Sequence, residues 1–188
     1  MSEHELEELQ ESAEHGREQR ELAPVSLTMA ILAVMVAISG LLGHRSHTEE
    51  TVVQNQATDQ WNFYQAKHGR RTLLETQVGD IALWLTQPQS PNREAAQKQS
   101  DEYQAQVTKL KNDEKEIMEK ARELEGERDL AAHRADRFDL GEALLEISLV
   151  ITSITLLTRR RAFWLTGIIL GVAGVAAAAS ALLLHGVH

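Results

Sequence analysis

Between Leu22 and Gly43 the chain runs for 22 residues, LAPVSLTMAILAVMVAISGLLG, without a charged side chain. As an α-helix that run is ~33 Å long, against a bilayer hydrocarbon core of ~30 Å. In lipid every backbone polar group must be paired within the structure, so a segment of this kind is confined to helix. A cleaved secretory signal is the competing reading, and it calls for a short basic leader and a shorter apolar core. The leader here, residues 1–21, is acidic, with eight Glu and two Arg.

Two more runs follow the same logic. Leu140–Thr158 (LGEALLEISLVITSITLLT) carries Glu142 and Glu146 near its start and is closed by Arg159-Arg160-Arg161. Ala162–Leu184 has no charged residue. The expected organisation is an acidic tail over 1–21, transmembrane helices over 22–43, 140–158 and 162–184, and an extramembrane segment over 44–139. Three adjacent arginines in a short connection favour the cytoplasmic side. By parity the N-terminus is then cytoplasmic and residues 44–139 lie across the membrane. Arg45, Arg128, Arg134 and Arg137 flank the spans on that other side and weigh against this orientation.

Averages hide this segregation. The 188 residues are 43% apolar and 25% charged with a net charge of −9, values that suit an ordinary soluble domain. By region the charge is −6 over 1–21, −4 over 44–139 and +1 over 140–188. Such acidity argues against nucleic-acid binding, which needs a basic face. With no cysteine there is no disulfide framework or thiolate site. No phosphate loop, nucleophile elbow or paired His-Glu zinc helix occurs. The expectation is a non-enzymatic protein with no cofactor.

Residues 44–139 are rich in Glu, Gln, Ala, Lys, Arg and Leu, good helix formers. The strong break is Gln87-Pro88-Gln89-Ser90-Pro91-Asn92, a turn over 87–92, with Pro91 suited to the first turn of a new helix and Ser90 to its cap. It divides the segment into legs of nearly equal length, 44–87 and 92–139. A chain that leaves the membrane at Gly43 and returns at Leu140 closes without slack as an antiparallel helical hairpin, a coiled-coil-like stalk. In the second leg a seam steps by four and three from Tyr103 through Val107, Leu110, Glu114, Ile117, Ala121, Leu124, Arg128, Ala131 and Ala135 to Phe138, the coiled-coil period. The first leg is weaker: Val53, Ala57, Gln60, Tyr64, Lys67, Arg71, Leu74, Val78, Ile81, Leu85. Its middle, Gly69-Arg70-Arg71, suggests a bend or another partner. Trp61, Phe63, Leu73 and Trp84 lie off that seam and either meet a second copy of the chain or widen the intramolecular face.

The run Leu42-Gly43-His44-Arg45-Ser46-His47, followed by Asp59-Gln60-Trp61-Asn62-Phe63-Tyr64-Gln65-Ala66-Lys67, resembles an uncharacterised bacterial membrane family, the domain of unknown function 4337. The resemblance extends from the first span to the third. It implies a terminal span, a long helical middle, a closing pair of spans and, with them, the bacterial inner membrane. It brings no catalytic residue.

Glu142 and Glu146 are four apart, on one helix face. Carboxylates within a span often mark ion or proton pathways, and around an oligomer axis they form a candidate cation pathway. The plainer reading places both in the headgroup zone. His44, Arg45 and His47 form a polar cluster at the first span's exit, where His44, His47 and Glu50 are a weak metal set and interfacial anchoring is the simpler role; His44-Arg45 also suits a lipid phosphate. Gly167, Gly171, Gly174, Ala178 and Ala181 recur at 4-3-4-3 spacing, which lets membrane helices approach closely. In the tail, a Ser2-to-Glu5 capping box precedes a narrow stripe of Leu6, Leu9 and Ala13. Two functions fit. The first is an oligomeric scaffold or assembly protein, in contact with membrane lipid and, through the stalk, open to an unidentified protein partner. The second is an oligomeric cation channel or transporter subunit that uses Glu142 and Glu146.

Overall fold

The computed structural model describes residues 3–87 and 91–184, with side chains from residue 22 onward. The Ser2-to-Glu5 box, the Leu6, Leu9 and Ala13 stripe and the Ser90 cap fall outside the residues and side chains so described. Three helices account for nearly all of the rest: α1 (Glu3–Leu85), α2 (Arg93–Thr158) and α3 (Arg161–Leu182). There is no β-strand among the described residues. Each helix contains a stretch long and apolar enough to cross a membrane.

The helix boundaries have local causes. Pro91 does not open α2, despite its suitability for a first turn. Asn92 takes that boundary, with a left-handed backbone (φ 56°) and a carbonyl that accepts the Ala96 N–H at 3.1 Å. Asparagine is one of the few residues that visits this conformation at low cost. Arg93 turns its guanidinium onto the end of α1 and donates to Leu85 O at 2.6 Å and Gln87 O at 3.0 Å. It thereby pairs carbonyls that a helix end leaves free. Between α2 and α3 the connection is Arg159 and Arg160 alone. Arg159 is left-handed (φ 54°), and its N–H bonds Thr155 O at 2.8 Å. Arg161, expected in the loop, opens α3, which closes at Leu182 rather than Leu184.

The chain divides into two compact units, residues 1–48 with 130–188, and residues 49–129. In the second unit, cross-helix pairs run in opposite order along the chain: Gln54 with Arg128, Trp61 with Glu125, Lys67 with Asp113, and Glu75 with Lys111. Leu74, Val107 and Leu110 form its apolar core, with Tyr103 packed against them. Ala57, Ala121 and Leu124 are buried, and Ile117 is half-buried. Each first-leg position from Val53 to Leu85 that the 4-3 spacing selects is buried or half-buried. Helix α1 passes through Gly69-Arg70-Arg71 without interruption, so no helix break marks the suspected bend.

The first unit buries glycine and hydroxyl residues alongside Phe138, Leu145 and other apolar side chains. Its buried residues include Gly141, Ser148, Thr152, Thr155, Gly167, Gly171 and Gly174. Its exposed residues include Leu27, Ile31, Val34, Ile38, Ile147, Val150, Ile169 and Val172. The small residues bring α3 against α2. A Cβ placed on Gly174 would lie 3.0 Å from Gly141 O and 3.1 Å from Leu145 N, both backbone atoms. One on Gly141 would lie 2.9 Å from Gly174 O. The Ser148 hydroxyl, freed from its own helix, donates across this contact to Gly167 O at 2.6 Å. Helix α1 joins through Val25, Leu32 and Ser39, each buried; Ser39 donates to Phe138 O at 3.1 Å.

Candidate functional site

One group of polar side chains in the first unit lies where α1 meets α2. Glu142, half-buried on α2, lies over Gly40 of α1, and a Cβ on Gly40 would come within 2.5 Å of its Oε1. Gly40 thus provides the notch that the carboxylate fills. Glu142 has no hydrogen-bond partner among the described residues, whereas Glu146, one turn further along, is exposed. The two acids therefore do not converge within one chain, although their spacing places them on one side of α2.

One turn before Glu142, Asp139 takes a defined partner. His47 Nε2 lies 3.0 Å from Asp139 Oδ2, and Gly43 keeps the neighbouring position clear: a Cβ there would meet Asp139 Oδ1 at 3.1 Å. His44 and Arg45 are exposed. Among the described residues no three His, Cys, Asp or Glu side chains gather as metal ligands. The cluster is a hydrogen-bonded contact between α1 and α2 at an end of an apolar stretch.

Along α3, Gly167, Gly171, Gly174 and Ala181 are buried, and Ala178 is half-buried against Gly141. The matching face on α2, Gly141, Leu145, Ser148, Thr152 and Thr155, also steps by four and three. The spacing of small and hydroxyl residues was the available signal for it. Continuing the second-leg seam from Phe138 through Glu142, Leu145 and Leu149 meets this face at Leu145 and otherwise selects a neighbouring stripe. The far ends of α3 are tied down as well: Trp164 donates its indole N–H to Thr28 Oγ1 at 3.1 Å, and Arg134 Nε donates to Leu184 O at 2.9 Å.

In the second unit two of the charged seam positions, Arg71 and Glu114, meet. Arg71 Nε donates to Glu114 Oε1 at 2.7 Å, with side chains only 15% and 9% exposed. Arg71 also bonds both Glu75 oxygens at 2.9 Å. Its protonated form is reinforced above the usual range, first by Glu114 and then by Glu75. Glu75 is held below the ordinary carboxylate range, chiefly by Arg71, and Asp113 likewise by Lys67 at 2.7 Å. Arg128, the other seam interruption, donates to Gln54 Oε1 at 2.8 Å.

The aromatic run also finds partners inside this unit. Trp61 donates its indole N–H to Glu125 Oε1 at 2.8 Å and packs edge-on to Tyr64, while Tyr64 stacks on His68. Trp84 is half-buried. Of the four off-seam residues, Phe63 and Leu73 remain open, 61% and 59% exposed.

No curated protein and no solved structure gives a significant match to the chain. The family whose sequence profile does match, described as Domain of unknown function (DUF4337), covers residues 21–184, and the chain belongs to it.

Proposed function

We propose that the protein is a non-enzymatic membrane scaffold: three spans in the first unit, and in the second a helical hairpin outside the bilayer that assembles with further copies. The observation that carries the membrane part is the surface of the first unit, where large aliphatics such as Leu27, Ile31, Val150 and Ile169 are exposed over an interior that holds glycine and hydroxyl side chains beside its buried apolar ones. In water that distribution leaves most of the apolar surface unburied; in lipid, close backbone packing is what holds helices together. The assembly part rests on Val52, Phe63 and Leu73. They are exposed, about three helical turns apart on one side of α1, in a unit whose α2 leaves no large hydrophobic residue exposed between Arg93 and Asp129. In this reading the Arg159–Arg160 link is cytoplasmic, and the hairpin faces the opposite side.

The test uses membranes and the detergent-purified full chain. Carbonate washing should leave the protein in the membrane pellet. Phe63→Ser with Leu73→Ser should lower the subunit count in native mass spectrometry while circular dichroism stays unchanged. Release by carbonate sinks the membrane reading; an unaltered subunit count sinks the assembly face. Since the chain lacks cysteine, single Lys98→Cys and Thr158→Cys variants report sidedness cleanly. A membrane-impermeant maleimide added to intact cells or spheroplasts should label the first and spare the second.

A second reading, a cation path, is favoured by one feature: the Glu142 carboxylate, half-buried in the Gly40 notch with no partner among the described residues. Cation flux in proteoliposomes that Glu142→Gln abolishes would replace the scaffold reading. Absence of flux from the wild type would remove the alternative.

A further inference from the structure

A narrow apolar groove of about 130 Å³ runs between α1 and α3 in the first unit. Met35, Ile38 and Leu42 form its α1 wall and Ala179 and Leu182 its α3 wall, over a floor that includes Leu145 of α2. The groove exists because α3 presents alanine there. Ala178 and Ala179 carry only methyl groups and leave the longer side chains of α1 without a facing partner. Among the described residues that line it, Ser39 alone has a hydroxyl, and it spends that proton on Phe138 O at 3.1 Å. Water held there would need several polar partners, which this lining does not offer. An aliphatic chain restores the contacts that open walls forfeit.

The mouth of the groove supplies a charge. On α1 the wall steps by three and four through Met35, Ile38 and Leu42, and the next step of three reaches Arg45 on the same side of the helix. Thr28 meets Trp164 and Leu32 meets Gly171, so α1 and α3 run in the same direction and Arg45 falls level with the end of α3. Arg45 is exposed and makes no hydrogen bond or ion pair with any described residue. Other polar groups at this end are engaged with one another: Asp139 with His47 at 3.0 Å, and Arg134 with Leu184 O at 2.9 Å. Glu49, one turn further along α1, is exposed and forms no ion pair with Arg45. The occupant is thus specified at both ends, an aliphatic chain for the groove and an anion for the cation that continues its wall.

We propose that the groove holds one acyl chain of an anionic phospholipid whose phosphate rests on Arg45. The inference rests on the membrane reading above and extends it to a lipid site. In a bilayer the end of α3 lies at headgroup depth, and Arg45 is level with it. The guanidinium then offers the phosphate a pair of charge-assisted hydrogen bonds. A zwitterionic headgroup brings its own ammonium to the arginine and gains less. By sequence His44 and Arg45 suit a phosphate alike, and the groove separates them. His44 is about 200° round the helix from Leu42, on nearly the opposite side of α1, whereas Arg45 is about 60° from it.

The experiment is native mass spectrometry of the detergent-purified full chain with phosphatidylglycerol or phosphatidylcholine added. Wild type should retain one phosphatidylglycerol per chain in clear preference to phosphatidylcholine. Arg45→Gln should lower that preference about fivefold, the worth of one arginine at a lipid surface. His44→Gln should leave it intact. So should Arg122→Gln, which makes the same charge change at an exposed residue of the second unit. Ala179→Phe, on the exposed rim of the groove, places a ring where the chain would lie and should displace the bound lipid. Its lipid-free melting temperature should be equal or higher, since the ring fills an empty groove. Equal retention of the two lipids by wild type, a preference that survives Arg45→Gln, or retention untouched by Ala179→Phe overturns the proposal. A preference lost equally in Arg122→Gln would be a response to net charge and overturns it too. Inorganic phosphate that raises the melting temperature as far as phosphatidylglycerol does overturns the lipid source and assigns the anion to solution. Protein that stays in carbonate-washed membranes yet shows no headgroup preference refutes this site alone; protein that carbonate releases refutes the membrane reading beneath it.

Discussion

The two units share helices α1 and α2, yet they fill their interiors differently. Residues 49–129 bury leucine, valine and alanine, with a salt bridge between Arg71 and Glu114, and leave charges outside. Residues 1–48 with 130–188 also bury Val25, Leu32, Phe138 and Leu145, but they add glycine, serine and threonine to the interior and leave many leucine, isoleucine and valine side chains outside. A helix face becomes an interior when its packing surpasses what the solvent offers it. In water that selects apolar area. In lipid, apolar area confers no advantage, and close approach with internal hydrogen bonding decides. The contrast gives the same kind of substitution different signs in the two units, which is where the comparison can be broken.

The largest effect is expected from Gly174→Leu. A Cβ there already meets backbone on α2 at 3.0 and 3.1 Å, so the helices must part for a larger side chain. Overpacking against a backbone that cannot yield should cost about 3 kcal/mol or more. Thermal unfolding in detergent should show a loss far beyond that of Val172→Leu, which lies on the outer face of the same helix. Similar melting points for the two would remove close α2–α3 packing as the principle of the first unit.

Next comes the buried pair of the second unit. Glu114→Met leaves Arg71 with Glu75 as its remaining carboxylate and should cost about 2 kcal/mol, while Arg71→Met with Glu114→Met together should recover part of it. Additive losses in that double-mutant cycle would mean that the two side chains do not interact. A related and smaller effect is set by pH. Glu75 and Asp113 are depressed below the ordinary carboxylate range by Arg71 and Lys67. Their stabilisation is full above the unfolded-state pKa and is lost as pH falls through the folded one. Acid should therefore weaken the second unit progressively from the ordinary carboxylate range downward. Arg71→Met should flatten that profile by releasing Glu75. A profile unchanged by the substitution would show that Arg71 does not hold Glu75.

These cases also mark what the sequence could carry. Periodicity located the buried faces of both legs, because a heptad step is a property of one helix read alone. It also marked Gly167, Gly171 and Gly174, since small residues at 4-3 spacing in an apolar run point directly to close helix contact. Pairing across helices was out of reach. Glu114 and Arg71 each read as a flaw in a seam until register brought them within 2.7 Å. Trp61 read as meeting either a second copy or the facing leg, and its indole N–H bonds Glu125 on that leg. The helix start at Arg93 depended on whether Pro91 or Asn92 took the boundary, a choice made by one backbone angle.

The smallest effect sharpens the contrast through glycine itself. Gly69, Gly79 and Gly126 are helical, and a Cβ on any of them meets nothing within 4 Å. At such positions glycine is less favourable than alanine by about 1 kcal/mol, because it leaves more backbone freedom to be lost on folding. Gly126→Ala should therefore stabilise the second unit by up to that amount. Gly174→Ala should destabilise the first, where the same methyl has no room. Two of the three tryptophans, Trp61 and Trp84, lie in the second unit, so Trp164→Phe leaves fluorescence that reports it selectively. Denaturant unfolding of the full chain in that background gives the Gly126 effect directly. The sites are well separated along the helices, so adding Gly69→Ala and Gly79→Ala should extend the gain nearly additively. Losses at these open glycines would mean that something outside the chain packs against them, and the second unit's exposed faces would then have to be counted as contact surface.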